Sequence, residues 1–197
     1  MEARQAFHAI TAALTTGMLA LVFFAVLTTL VAAARADRYR RLAPYADGAA
    51  TLGASLGILF LLAALVTGFA QWPWEAYLHS PIGKNKIFTA LIALMCWAGF
   101  LWLRWKAGDQ LWRDRRLVTL ATFLALVGFA YIVFTNSIGG HIAGKPSGFE
   151  RLVMAVGIDT RRTFTLPTWG SALLILLGLA GIAWGVLPSR WRRPSPP

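Results

Sequence analysis

The chain has one cysteine, Cys96, in 197 residues. A single thiol excludes an internal disulfide framework and any zinc or iron–sulfur site built from cysteines of this chain. Charge is also scarce. Only 14% of residues are Asp, Glu, Lys or Arg, where a soluble domain carries about 25%. That excludes an ordinary soluble domain, and the 57% hydrophobic content excludes intrinsic disorder. Acidic residues are the scarcest charged class, 8 against 19 Lys and Arg, which leaves a net charge of +11. No Gly-rich phosphate loop, Ser/His/Asp set or HExxH motif occurs, so the chemistry of kinases, triad hydrolases and zincins has no carrier here. No repeat of 20–50 residues and no low-complexity tract beyond the Pro-Ser-Pro-Pro end is present.

Long apolar runs fill the rest. A spanning helix needs about 20 mostly apolar residues, and the runs at 8–34, 49–70, 87–103, 117–137 and 169–187 qualify. None contains a charged residue, each of which would cost at least about 2.5 kcal/mol at mid-bilayer. Backbone in hydrocarbon must satisfy its own hydrogen bonds, so each run is expected to be helical. Residues 1–197 are therefore expected to form a single transmembrane domain, an all-α bundle of five helices. The first run is too long for a secretory h-region of about 7–15 residues, and Glu2 and Arg4 leave its start without net positive charge; it is expected to be retained.

Basic residues in the connections set the orientation. The segments 35–48, 104–116 and the C-terminal tail lie on one side if all five runs span. They hold twelve Lys and Arg, including Arg35, Arg38, Arg40, Arg41, Arg113, Arg115 and Arg116. The other side holds seven, over longer stretches. The first side is expected to be cytoplasmic, with the N-terminus outside and the C-terminus inside. The charge between apolar runs fits anionic lipid headgroups, and no nucleic-acid partner is expected. Gly53 and Gly57 in the second run, and Gly178, Gly181 and Gly185 in the fifth, have the small-residue spacing of close helix contacts. Trp72 and Trp74 on one side, and Trp97, Trp102, Trp105 and Trp112 towards the other, read as interfacial belts.

This topology puts all three histidines at the outer face: His8 opening the first run, His79 before the third, and His141 after Gly139-Gly140 at the end of the fourth. Three readings stay open. The first is a b-type haem with histidine axial ligands drawn from His8, His79 and His141. There Gly139 and Gly140 admit a flat macrocycle, and Lys84, Lys86, Lys145 or Arg151 meet its propionates. The second is a divalent metal held by the same three histidines with Glu75. The third is interfacial histidines bonded to water. The outer connection, 138–168, is long enough to suggest function. Phe149, Leu152, Val153 and Val156 recur at helical spacing, Ser147 and Glu150 form a capping-box pattern, and Gly157 supplies a stop. A short interfacial helix is expected there.

The spans lack the carboxylates on which pumps and ion transporters rely. The reading is thus a membrane subunit of a larger electron-transfer assembly, not a stand-alone enzyme. It would anchor the assembly and hold a b-type haem or a quinone near the outer face, with a periplasmic cytochrome as a candidate partner. The alternative is a cofactor-free accessory subunit of a multi-subunit membrane complex.

Three short motifs add a resemblance. Phe7-His8 opens the first span, Thr67-Gly68-Phe69 closes the second, and Gly139-Gly140-His141 closes the fourth. In these the chain resembles, over about residues 7–145, a family of small bacterial inner-membrane proteins known as a domain of unknown function. Ala9 stands where that family has proline after the histidine, and no histidine falls inside the third span. The resemblance implies a multi-pass protein of the bacterial cytoplasmic membrane in a redox setting.

Overall fold

Why the apolar runs become longer helices is visible at their ends. A computed structural model describes residues 2–34, 41–71, 73–145 and 147–162, together with residues 169, 172, 173 and 176. The elements are α1 (Glu2–Ala34), α2 (Ala43–Phe69), α3 (Trp74–His79), α4 (Pro81–Ala107), α5 (Arg115–Ile142) and α6 (Gly148–Ala155), with a 3₁₀ turn at Gly108–Trp112. The Ser80 hydroxyl caps α4 by accepting from Gly83 N–H, with Pro81 at the first helical position. Asp114 caps α5 by accepting from Arg116 N–H at 2.8 Å. These caps let each helix start in polar sequence ahead of its apolar run, which is why α4 takes in Lys86. Gly108, at φ +53°, ends α4. No strand occurs among the described residues.

Four helices are long and apolar enough to cross a membrane: Ala3–Ala32, Ala43–Phe69, Pro81–Trp112 and Arg115–Ile142. They fit a multi-pass membrane protein. The fifth expected span, 169–187, lies outside the described residues except for 169, 172, 173 and 176, and so does the Gly178, Gly181 and Gly185 stripe.

The four pack as a ring, α1 on α2 and α5, and α4 on α2 and α5. Successive helices run in opposite directions, which places the start of α1, the end of α2, the start of α4 and the end of α5 at one end of the bundle. The core is built from Leu19, Val22, Val26, Leu61, Trp97, Phe100 and Ile132. Gly53 and Gly57 make the α1–α2 contact: a Cβ on Gly53 would stand 2.9 Å from Val22 Cγ2, and one on Gly57 would run into Leu19. Phe23 of α1 stacks on Phe129 of α5 at 4.5 Å between ring centroids. Outward-facing Phe24, Leu59, Val66, Met95 and Phe123 are exposed, as lipid-facing positions are.

Trp97 departs from the expected belt. It is fully buried, with 0% exposure. Its indole fills the space above Gly128, where a Cβ would come within 2.9 Å of the ring. Trp102 and Trp105 are exposed, as belt residues are. Trp112 is half-buried and donates its indole N–H to Asp47 Oδ1 at 2.7 Å. Asp47 also receives the Arg104 guanidinium, through Nε at 2.8 Å and Nη2 at 2.5 Å. This clamp ties α2, α4 and the 3₁₀ turn together at the arginine-rich end. A charge-assisted, two-pronged pair is roughly twice as strong as a neutral hydrogen bond and more specific in geometry.

Candidate functional site

The opposite end of the bundle holds a cavity of about 570 Å³ between the four helix ends. Its wall is mostly small and apolar, with Ala9, Ala12, Leu61, Ala64, Leu65 and Ile87 among the lining residues. The polar side chains in it are Gln5, His8, Gln71, Lys86, Thr15, Thr135 and Asn136. Among the described residues, no Asp or Glu lines it.

His8 sits nearly two turns into α1, past its exposed start, so its side chain reaches the last turns of α2. Its Nδ1 lies 3.1 Å from Thr67 Oγ1. The Thr67 hydroxyl donates to the Ala63 carbonyl at 2.8 Å, the usual back-bond of a helical threonine. Thr11, one turn on from His8, donates to the His8 carbonyl at 2.9 Å. The next residue of α2, Gly68, supplies the surface against which the imidazole rests. A Cβ at Gly68 would stand 3.2 Å from His8 Cε1. The Phe7-His8 and Thr67-Gly68 motifs are therefore two halves of one contact.

Lys86 enters from α4. Its ammonium lies over Gly139 of α5, 3.5 Å from where a Cβ would be. Among the described residues no carboxylate lies within ion-pair distance of it. The neighbouring walls are pinned by hydroxyls and amides. The Thr89 and Thr135 hydroxyls are 2.9 Å apart between α4 and α5, and the Asn136 amide donates to the Thr16 hydroxyl of α1. At the polar rim, the Gln71 amide donates to the Arg4 carbonyl at 3.0 Å.

Gly140 and His141 do something else. The helix continues through both to Ile142, so Gly139, Gly140 and His141 form its last turns, not a loop beyond the span. Lys145 N–H bonds to the Gly140 carbonyl at 2.7 Å and Gly144 N–H to the His141 carbonyl at 2.9 Å, with Gly144 at φ +73°. That is a Schellman ending. A Cβ on Gly140 would collide with the Lys145 carbonyl oxygen at 2.8 Å. The chain approaching Gly140 so closely is thus its own.

His141 faces α6. Its Nδ1 lies 2.6 Å from Glu150 Oε1, and Glu150 is buried, with 3% exposure. The Ser137 and Ser147 hydroxyls are 2.6 Å apart, and Phe134 meets Phe149 edge to face at 6.0 Å. One stripe of α5, at 134, 137 and 141, therefore holds α6 in place. The sequence pattern had the α6 cap right, since Ser147 Oγ accepts from Glu150 N–H at 3.1 Å. The Glu150 carboxylate, though, goes to His141. Gly157, at φ +87°, ends the segment with a second Schellman pair, Gly157 to Met154 and Ile158 to Val153. Beyond it, the Arg161 guanidinium and its backbone N–H hold the Asp159 carboxyl below the ordinary carboxylate range. Asn85 of α4 donates to the carbonyls of Thr160 and Arg162 at 2.8 and 2.6 Å, closing the segment back onto the bundle.

Of the three histidines, then, only His8 lines the cavity. His141 is paired with Glu150, and His79 is exposed at the end of α3. Among the described residues no group of three or more His, Cys, Asp or Glu side chains is placed to hold a metal ion. The set of His8, His79 and His141, with or without Glu75, is not assembled. Thr11, Thr67 and Gln71 are the site residues that composition did not single out for chemistry. No family model, curated protein or solved structure matches the chain.

Proposed function

We propose that the chain is a multi-pass membrane subunit of an electron-transfer assembly, and that the cavity between its helix ends holds a quinone. The observation that carries this reading is an apolar cavity of about 570 Å³ whose wall, among the described residues, has one imidazole and one ammonium and no carboxylate. Ligand sites commonly enclose about 300–1,000 Å³ and are apolar with a few placed polar groups. A quinone has that pattern: a flat apolar ring and tail, with hydrogen-bonding oxygens at two opposite edges. A b-type haem fits less well. It asks for two imidazoles on opposite faces of one plane, and the cavity wall offers His8 alone.

The orientation follows from charge. The connection from α1 to α2 carries four arginines, Arg35, Arg38, Arg40 and Arg41, and the one from α4 to α5 carries Arg113. This end belongs on the cytoplasmic side, and the cavity belongs in the outer leaflet of a bacterial inner membrane, within reach of a periplasmic cytochrome. With α6 resting at the headgroup level, its exposed Leu152 and the exposed Val156 just after it would meet lipid.

Purification in mild detergent, organic extraction and quantification of quinone, alongside a visible spectrum, test the reading. About one quinone per chain, lost in His8→Ala, supports it. A Soret band that His141→Ala abolishes supports haem and contradicts it. A colourless, quinone-free protein that co-purifies with other subunits contradicts it in favour of the accessory role.

A further inference from the structure

The cavity wall is unevenly exposed, and the unevenness marks where it opens. Four of its lining residues are exposed: Gln5 and Ala9 of α1, Asn136 of α5, and Ala143 at the α5 C-cap. Those on α2 and α4 are all buried or half-buried. Side-chain size accounts for the difference. At the α2–α4 seam, Leu65, Phe69 and Ile87 fill the space. At the α1–α5 seam the wall is built from Ala9, Ala12, Gly139 and Gly140, which leave a slit. The other two seams carry polar contacts, His8 to Thr67 between α1 and α2, and Thr89 to Thr135 between α4 and α5. The slit ends where the Asn136 amide donates to the Thr16 hydroxyl, and deeper in the bundle Phe23 stacks on Phe129. From Ala143 to Asn136 the slit runs about 10 Å along the helix axis. Both of its walls belong to helices apolar enough to cross a membrane.

We infer that the ligand's apolar tail leaves the cavity through the α1–α5 slit into the bilayer, so that the site takes a long-chain, membrane-borne ligand and loads it sideways. The inference rests on the quinone reading and adds the path of the tail. Among the described residues, the slit is the gap through which a chain passes without displacing a large side chain. A tail lying there stays in hydrocarbon and out of water. Directed to the outer rim instead, it would meet the amides of Gln5 and Gln71 and then water. Ala9 and Ala12 are specificity residues in this scheme, because their single methyl groups set the width of the slit on the α1 side.

The test uses the full-length protein in nanodiscs and a quinone carrying a diazirine in the first units of its tail. Adducts that excess unlabelled quinone suppresses should fall beside the slit, at positions 9–16 of α1 and 133–140 of α5. Suppressible adducts at outward-facing positions of α2 and α4, such as Leu62, Val66 and Leu91, overturn the inference and leave the quinone reading standing. A second measurement compares equilibrium binding of a long-chain quinone and its short-chain analogue. Both are read in the same bilayer, so partitioning cancels between variant and wild type. In Ala9→Trp, which narrows the slit, the ratio of long- to short-chain affinity should fall about tenfold through overpacking. In Val66→Trp, on the outward face of α2, it should stay at the wild-type value. An unchanged ratio in Ala9→Trp also overturns the inference, and if that variant does not fold the adduct positions decide. Labelling that excess quinone does not suppress, with neither analogue bound, overturns the quinone reading itself.

Discussion

A glycine at position 68 lets an imidazole rest on α2. A methyl group there would lie 3.2 Å from His8 Cε1, closer than carbon atoms pack comfortably, so the ring would have to give way by a few tenths of an ångström. A ring that gives way by leaning off its rotamer costs about 0.5–1.5 kcal/mol. Gly68→Ala should therefore weaken quinone binding about three- to tenfold while the detergent-solubilised protein keeps its thermal midpoint; unchanged binding would detach Gly68 from the site. Gly128 supports packing instead. A methyl group at this position meets the buried Trp97 ring at 2.9 Å, and overpacking of a core costs about 1–3 kcal/mol. Gly128→Ala should lower the unfolding midpoint and leave ligand affinity as it was. At this scale the sequence is legible for residue type but not for partner. His8 stands out because a histidine is rare in an apolar run. Trp97 looks like any interfacial tryptophan, because burial depends on Gly128 of another helix. Gly139-Gly140-His141 reads equally well as a cofactor cradle or a helix ending, and only the Lys145 carbonyl over Gly140 distinguishes them.

Among the elements, α6 is the one whose presence the sequence announces most clearly and whose placement it hides. Ser147, Glu150, the apolar spacing of 149–156 and Gly157 are all local signals, and the helix Gly148–Ala155 follows from them. Its docking rests on Glu150 meeting His141 at 2.6 Å, a contact between helices that no local pattern encodes. Removing that carboxylate should loosen the element without unfolding the bundle. In Glu150→Ala, amide hydrogen exchange over 148–155 should speed up, while α1, α2 and the core of α4 keep their protection. Exchange that rises equally throughout the protein would mean that Glu150 supports the whole fold and not α6 alone.

For the whole molecule, the antiparallel order of the helices does most to create the site. His8 opens the apolar run 8–34, and Thr67 lies three residues from the end of the run 49–70. At about 1.5 Å per residue the two stand within about 5 Å of each other in depth. The same counting brings Lys86 of α4 level with Gly139 of α5. That much of the cavity was readable from run lengths alone, and the four apolar helices were readable from composition. The identity of the wall was not, since it depends on which helix faces each ring member turn across the bundle. With Cys96 replaced by alanine, Ala6→Cys and Ala143→Cys should both react with an impermeant maleimide from the outer side of the membrane, and Arg113→Cys only after permeabilisation. Labelling of positions 6 and 143 from opposite sides would dismantle the cavity.

The most direct measurement is photoaffinity labelling of the protein in liposomes with an azidoquinone, followed by peptide mapping. Adducts should concentrate in residues 5–15, 61–71 and 132–143, and an excess of unlabelled quinone should suppress them. Diffuse, non-competed labelling of lipid-facing positions such as Phe24, Leu59 and Met95 would show that the cavity between the helix ends is not a quinone site.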